Sequence, residues 1–261
     1  MTVKTIILRA AGTNCDRETE YAFRLVGCQT ELVHVNQLVR KERFLDDYHI
    51  LVIPGGFTYG DDIAAGKILA NELKYKLQEP LQKFIGDGKL ILGICNGFQI
   101  LAKAGLLPGD GSGGEPQRVT LTFNDSGKFE DRWVYLKVVD NGTCVFTRGL
   151  EGLLYIPVAH AEGKFVPGDD EVKRRLWRNN QVVLQYVDPR GALAGYPWNP
   201  NGSVDNIAGI CDPTGRIFGL MPHPERHFLP THHPRWTRVG LRKEGDGMAI
   251  FRNAAEFVRK M

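Results

Sequence analysis

A cysteine flanked by glycines, Gly93-Ile94-Cys95-Asn96-Gly97, ends the apolar run 89–94 and opens the helical run 98–102. This is the G-x-nucleophile-x-G pattern of a nucleophile elbow, a strand-to-helix turn so sharp that it leaves no room for side chains beside the nucleophile. Such a turn lifts Cys95 to the carboxyl edge of a sheet and sets its sulfur at a helix N-terminus, where the positive potential favours thiolate over thiol. A free cysteine, with a pKa of about 8.5, is only a few per cent thiolate at neutral pH, so this activation matters. The same pentapeptide also fits a buried structural cysteine. A base within reach decides between the two.

Met221-Pro222-His223-Pro224-Glu225 supplies that base. Each proline disfavours helix for the residue before it, so Met221 and His223 are expected to be extended. In an extended segment, residues two apart face the same way, so His223 and Glu225 should project side by side. The carboxylate can then hold one ring nitrogen while the other faces a nucleophile, the role of the third member of a triad. In isolation His-Pro-Glu reads as a rigid surface turn; beside a cysteine elbow it reads as catalytic machinery.

Pro54-Gly55-Gly56-Phe57 follows the apolar run 49–53. Two glycines at a strand end expose backbone N–H groups, the donors an oxyanion hole requires. In elbow enzymes the hole pairs the N–H after the nucleophile, here Asn96, with one from another strand-end loop, for which Gly56 is the candidate.

The elements that must position these residues read as α/β. Short β-branched runs (5–8, 31–35, 49–53, 89–94) alternate with helical stretches (16–26, 63–77, 80–85), the pattern of a largely parallel sheet. The later runs 119–123, 132–139 and 181–187 alternate more clearly and fit antiparallel strands at one edge of a mixed sheet. A strand over 217–221 and a helix over 248–259 close the chain, and a Gly-rich loop covers 109–114. Nothing resembles a linker or repeat, so residues 1–261 are expected to form one domain. The Pro-, His- and Arg-rich stretch 227–246 exceeds the usual loop length and has no assignable structure.

Composition excludes several classes. With 33 Lys+Arg against 30 Asp+Glu the net charge is only +3, too balanced to argue for nucleic acid or an acidic membrane surface. No window has the roughly 18 consecutive apolar residues of a membrane span. Five scattered cysteines without a C-x-x-C pair argue against a zinc ribbon or disulfide scaffold and point to a cytoplasmic setting.

The wording of these motifs carries a family resemblance. Pro54-Gly55-Gly56-Phe57-Thr58-Tyr59-Gly60-Asp61, Cys95-Asn96-Gly97-Phe98-Gln99-Ile100-Leu101, Pro157-Val158-Ala159-His160-Ala161-Glu162-Gly163 and Pro222-His223-Pro224-Glu225-Arg226 resemble the class I (triad) glutamine amidotransferases, and among them the glutaminase components of phosphoribosylformylglycinamidine (FGAM) synthases. Asn201-Gly202-Ser203, Asn206-Ile207-Ala208-Gly209-Ile210, Asn124-Asp125-Ser126-Gly127-Lys128-Phe129 and Arg132-Trp133-Val134 fit the same family, which the match follows over about 5–226 and again through the last helix. Ala161 and Ala10-Ala11 depart from the common pattern, away from the triad.

The resemblance implies a flavodoxin-like fold, a mostly parallel mixed sheet with helices on both faces. It implies Cys95 as nucleophile, His223 as base and then acid, Glu225 as its orienter, Gly56 and Asn96 as oxyanion donors, and Gly55, Phe57 and Gln99 as residues that hold L-glutamine. It further implies that ammonia passes to a synthetase subunit, with a small third subunit present in some assemblies. That synthetase would use ATP and Mg²⁺, and this chain, which has no Walker-type phosphate loop, would need no cofactor or metal of its own. The alternative is a peptidase- or deglycase-like cysteine hydrolase on the same fold, although such relatives commonly carry histidine where Asn96 stands. His227, His232 and His233 read as loop histidines rather than metal ligands, and His160 as a loop histidine that could line the site. Arg132, Trp133 and the stretch after His227 are candidates for a partner surface.

Overall fold

A computed structural model describes residues 1–109, 116–139 and 142–261 of the chain. Of the Gly-rich loop expected over 109–114, all but Gly109 lies outside the described residues.

The core is one nine-stranded sheet in the order β2-β1-β3-β4-β11-β10-β9-β6-β7. Its parallel half consists of β1 (Lys4–Arg9), β2 (Gln29–His34), β3 (Ile50–Ile53), β4 (Leu90–Ile94) and β11 (Ile217–Leu220). Strands β3, β4 and β11 are buried at every residue, which explains why none of them carries a polar side chain: a strand covered on both faces has no side to leave polar. The other half is antiparallel, built from β10 (Ile207–Cys211), β9 (Val182–Val187), β6 (Glu130–Val138) and β7 (Leu153–His160).

Parallel crossovers are right-handed, so their direction across the sheet sets the face on which each helix lies. The step from β1 to β2, through α1 (Asp16–Leu25), runs opposite to the step from β3 to β4. Helix α1 and the final helix α8 (Met248–Arg259) therefore share one face, joined edge-on by Phe23 and Phe251 with ring centroids 5.1 Å apart. On the other face lie α2 (Val35–Val39), α3 (Lys67–Lys76), α4 (Gln78–Gly86) and α5 (Asn96–Lys103). Helix α5 is buried at every residue from Asn96 to Ala102, as expected of a helix pressed between the sheet and α3.

Several expectations change. Residues 119–123 do not join the main sheet: β5 (Val119–Thr122) pairs with β8 (Lys164–Pro167) in a separate two-stranded ribbon. Val35 begins α2 instead of ending β2, because His34 caps that helix by accepting from the Asn36 N–H. Strand β7 is unexpected because Pro157 interrupts its pattern; the strand lies at the sheet edge, where a missing N–H is tolerated. Helix α6 (Asp170–Arg178) precedes β9, opened by the Asp169 carboxylate accepting from the Val172 N–H at 2.7 Å. The stretch 227–246 is ordered against the outer strands and contains α7 (Trp236–Val239). It is fastened where the Tyr155 N–H donates to Asp246 at 2.8 Å and the Gly247 N–H to the His227 carbonyl at 2.8 Å.

Candidate active site

Ligands of open α/β sheets gather beyond the carboxyl ends of the parallel strands. Here β1, β3, β4 and β11 are consecutive neighbours, and each releases a chemically distinctive segment at that end: Gly12–Cys15, Pro54–Phe57, Cys95 and Pro222–Glu225. The register Ile53 against Gly93 and Gly93 against Gly219 brings three of these ends level.

Cys95 stands at the elbow between β4 and α5 with φ 51° and ψ −106°, a conformation rarely tolerated outside glycine and typical of stored strain at a functional site. The glycines around it act as the sequence suggests. A Cβ on Gly97 would come within 1.9 Å of the Ile53 carbonyl oxygen, and one on Gly93 within 2.7 Å of the Gly97 oxygen. The Cys95 N–H donates to the Leu220 carbonyl at 2.8 Å, and its own carbonyl accepts from the Gln99 N–H at 3.1 Å. The backbone of Cys95 is pinned from both sides while the residue lines a cleft.

His223 reaches that cleft from β11. Its backbone N–H donates to the Pro157 carbonyl at 2.8 Å, tying the segment to β7. Nδ1 lies 2.6 Å from Glu225 Oε1, and both side chains are buried. The expected extended run across His223–Glu225 is not what aligns them: Pro224–Arg226 is a turn of 3₁₀ helix, for which the fixed φ of proline suits the first position. Nε2 of His223 is buried without a conventional hydrogen bond. Burial opposes a charged ring, yet the Glu225 carboxylate and the nearby Cys95 sulfur outweigh it and hold the His223 pKa well above its ordinary value.

The Pro54–Phe57 loop, the candidate oxyanion loop, is held by β-like pairing with the turn after β1. Thr13 and Gly56 form an antiparallel bridge, with the Phe57 N–H donating to the Gly12 carbonyl at 2.9 Å and the Cys15 N–H to the Gly55 carbonyl at 3.1 Å. Gly56 sits at φ 150°, and a Cβ there would lie 2.7 Å from the Gly12 oxygen. Its N–H donates to no backbone acceptor among the described residues, and the Asn96 N–H, first in α5, has no intrahelical acceptor. Gly55 lies flat under the base: a Cβ would meet His223 Cε1 at 2.8 Å.

The Asn96 side chain has a task of its own. Its Oδ1 accepts from Thr58 Oγ1 at 2.7 Å, and its Nδ2 donates to Asp61 at 3.1 Å and to Gln99 Oε1 at 2.9 Å. It locks the segment after Phe57 to the elbow. Gln99, expected to hold substrate, is instead buried and committed at both ends of its amide, since its Nε2 donates to the Glu162 carbonyl at 2.6 Å. It does not line the cleft.

The cleft encloses about 70 Å³ and is lined by Asn14, Cys15, Gly56, Phe57, Cys95, Phe129, Ala159, His223 and Arg226. Phe57 and Phe129, each about half exposed, flank it with ring centroids 6.4 Å apart. Cys15 and Arg226 are the residues that sequence reasoning missed. The Cys15 sulfur lies 3.9 Å from His223 Nδ1 and accepts from Arg226 Nη2 at 3.1 Å. Burial pushes its thiol pKa up. The detectable signal was its place right after a turn that ends a parallel strand.

The remaining histidines lie elsewhere. His160 is buried, with Nδ1 3.1 Å from Asn124 Oδ1 and Nε2 3.5 Å from Asn201 Nδ2. Burial, then the charge of His223, push its pKa down to about 3. It braces the loop at Gly163, where a Cβ would lie 2.2 Å from its ring. His227 donates to the Tyr155 carbonyl at 2.6 Å and meets the Trp133 ring edge-on at 5.0 Å. His233 packs on Tyr155 and Trp133, and His232 on Phe228. Trp133 is thus partly covered by the 227–246 stretch, while Arg132 stacks on Tyr196. Among the described residues, three or more ligand atoms of metal-binding type come within 4.8 Å of one another at Cys15, His223 and Glu225. No helix among the described residues is long and apolar enough to cross a membrane.

Comparison with known proteins agrees with this geometry. Residues 2–258 match the CobB/CobQ-like glutamine amidotransferase domain. The chain is 53% identical over 260 residues to the phosphoribosylformylglycinamidine synthase subunit PurQ of Dehalococcoides mccartyi, covering 99% of each chain. It is 45% identical to the PurQ subunit of Archaeoglobus fulgidus, covering 99% of this chain and 98% of the relative. Among solved structures it resembles PurLQS from Thermotoga maritima with a TM-score of 0.75 and 33% identity, covering 99% of this chain and 100% of the other. With its elbow cysteine, buried His-Glu pair and Gly-Gly loop on a mixed α/β sheet, the chain belongs to the glutamine amidotransferases, in the family of PurQ subunits of phosphoribosylformylglycinamidine synthase.

Proposed function

We propose that this chain, as the glutamine amidotransferase subunit of an FGAM synthase, hydrolyses the side-chain amide of L-glutamine through Cys95, His223 and Glu225. The observation that carries the reading is the convergence of a strained elbow cysteine and a buried, carboxylate-paired histidine on one cleft. The Cys95 thiolate attacks the amide carbon. The N–H groups of Gly56 and Asn96 stabilise the tetrahedral oxyanion, an interaction whose loss costs about 10²–10³ in rate. Protonated His223 gives its proton to the departing ammonia, leaving a γ-glutamyl thioester on Cys95. The neutral ring then takes a proton from water, which attacks the thioester and releases glutamate. Gln99 and Asn96 act from behind, fixing the elbow and the oxyanion loop.

Ammonia passes to a synthetase subunit, which converts formylglycinamide ribonucleotide to formylglycinamidine ribonucleotide with ATP and Mg²⁺ bound on that subunit. The setting is the cytoplasm, and a small third subunit can complete the assembly. A peptidase reading has no observation in its favour, since the residue after the nucleophile is an asparagine engaged with Thr58, Asp61 and Gln99.

The test is Cys95→Ala assembled with the synthetase. Glutamine-dependent product formation should fall about 10³-fold or more, while formation from added ammonium persists. Retention of glutamine-dependent activity would remove the assignment.

A further inference from the structure

Strand β7 is the last in the sheet, so one side of it has no neighbouring strand to take up its N–H and C=O groups. Tyr155, Pro157 and Ala159 stand opposite Tyr135, Trp133 and Asp131 of β6. Being two apart, they turn their peptide groups the same way. The partners of Tyr155 and Pro157 show that this way is outward, off the sheet. The Tyr155 carbonyl accepts from His227 Nδ1 at 2.6 Å, and the Pro157 carbonyl from the His223 N–H at 2.8 Å. The Ala159 carbonyl lies 3.7 Å from Cys95 Sγ, within reach of a thiol donor. Base and nucleophile therefore rest on one edge, at consecutive outward positions. Pro157 suits the middle one, because it has no N–H to leave unpaired beside His223.

At Tyr155 the edge is closed by side chains acting as a neighbouring strand would. Asp246 Oδ2 accepts from the Tyr155 N–H at 2.8 Å, in place of a strand carbonyl, and the His227 ring donates in place of a strand N–H. His227 is 1% exposed and the Asp246 side chain 11%, so water does not compete freely for either bond. The same stretch is tied to the triad. The His227 N–H donates to the Pro224 carbonyl at 3.1 Å, inside the turn that joins His223 to Glu225, and the Gly247 N–H donates to the His227 carbonyl at 2.8 Å. The fit leaves no slack: a Cβ on Gly247 would stand 2.1 Å from the Pro224 oxygen, and one on Gly245 2.4 Å from the His227 oxygen. The ladder to β6 fixes β7 on its inner side. Asp246 and His227 fix it on the outer side, and fix it there to the turn that carries the base.

We propose that Asp246 and His227 are positioning residues for glutamine hydrolysis, locking the His223–Glu225 turn against the β7 edge so that the base stands in register with Cys95. The inference rests on the glutaminase reading and deepens it: the 227–246 stretch, beyond covering a sheet edge, sets the alignment of base and nucleophile. Neither residue lines the cleft, so the effect falls on the chemical step and not on the binding of glutamine.

The test uses two variants at each position. Asp246→Ala removes the acceptor for Tyr155, and Asp246→Asn returns one as an amide oxygen. His227→Phe removes the donor while keeping a ring against Trp133, and His227→Asn returns a donor near the place of Nδ1. Each is assembled with the synthetase, and rapid acid quenching gives the first-order rate constant at which γ-glutamyl adduct forms on Cys95 at saturating glutamine. That constant does not depend on how much of the preparation is folded. In Asp246→Ala and His227→Phe it should fall about 10–100-fold, the scale of an ångström's misplacement at a reacting centre. The glutamine concentration that half-saturates it should change less than about threefold. The two asparagine variants should recover most of the loss. The positions test the proposal independently, so failure of one variant to fold leaves the other to decide it. Wild-type rate constants in Asp246→Ala and His227→Phe would overturn the proposal, as would a loss confined to glutamine binding or one that asparagine fails to reverse. If wild type forms no adduct on Cys95, the glutaminase reading itself fails and takes this inference with it.

Discussion

His223 and Glu225 form a buried pair, Nδ1 to Oε1 at 2.6 Å, with Nε2 buried and without a hydrogen bond, and His223 lines the same cleft as Cys95. The carboxylate fixes which nitrogen carries the inner proton and how the ring is turned. It also decides at what pH the ring remains charged.

Burial pushes the His223 pKa down, and Glu225 is the first influence that pushes it up; the net shift is well upward. Imidazolium is present below the pKa and lost as pH rises through it. Glu225→Gln removes the main upward influence, so the charged ring should be lost at lower pH. The alkaline limb of kcat/KM for glutamine should move to lower pH, and the rate at neutrality should fall roughly 10²–10⁴-fold. A pH–rate profile with an unmoved alkaline limb would show that the carboxylate does not govern the ring.

His160 titrates in the opposite sense. As a neutral ring it donates through Nδ1 to Asn124 and presents Nε2 to the Asn201 amide, so a second proton has no acceptor. Its pKa is lowered from 6.5 to about 3. The stability it contributes is therefore complete above pH 6.5 and lost as pH falls from there toward 3. Between those limits one proton separates the folded and unfolded states, about 1.4 kcal/mol per pH unit. Denaturant unfolding of His160→Gln across pH 4–6 should show a pH slope shallower than wild type by about that amount. Identical slopes would contradict the assignment.

Much of the parallel half was legible because burial on both faces leaves unbroken apolar runs, and Ile50–Ile53 and Leu90–Ile94 stood out for that reason. The antiparallel half was harder. Pro157 and Gly209 obscure strands that tertiary pairing nevertheless imposes. In the site, Cys95, His223 and Glu225 were readable because each sits in a short motif with a mechanical reason. Arg226 was not, and Cys15 offered only its place after the turn that ends β1, because what makes them part of the cleft is the adjacency of β1, β3, β4 and β11, which local sequence does not encode. Gln99 shows the converse: its position in the elbow motif suggested substrate contact, whereas its amide is held by Asn96 and the Glu162 carbonyl. The stretch 227–246 carries no periodicity, and its anchors are contacts with Tyr155 and Trp133, far away in sequence.

Two thiols line the cleft, Cys95 and Cys15, and the proposed nucleophile is the first. The direct measurement is acid quenching of the assembled enzyme during glutamine turnover, followed by peptide mass analysis of both cysteines. The expected result is a γ-glutamyl thioester on the Cys95 peptide and none on the Cys15 peptide. Glutamyl adduct on Cys15, or glutamine hydrolysis undiminished in a Cys95→Ala enzyme, would contradict the account.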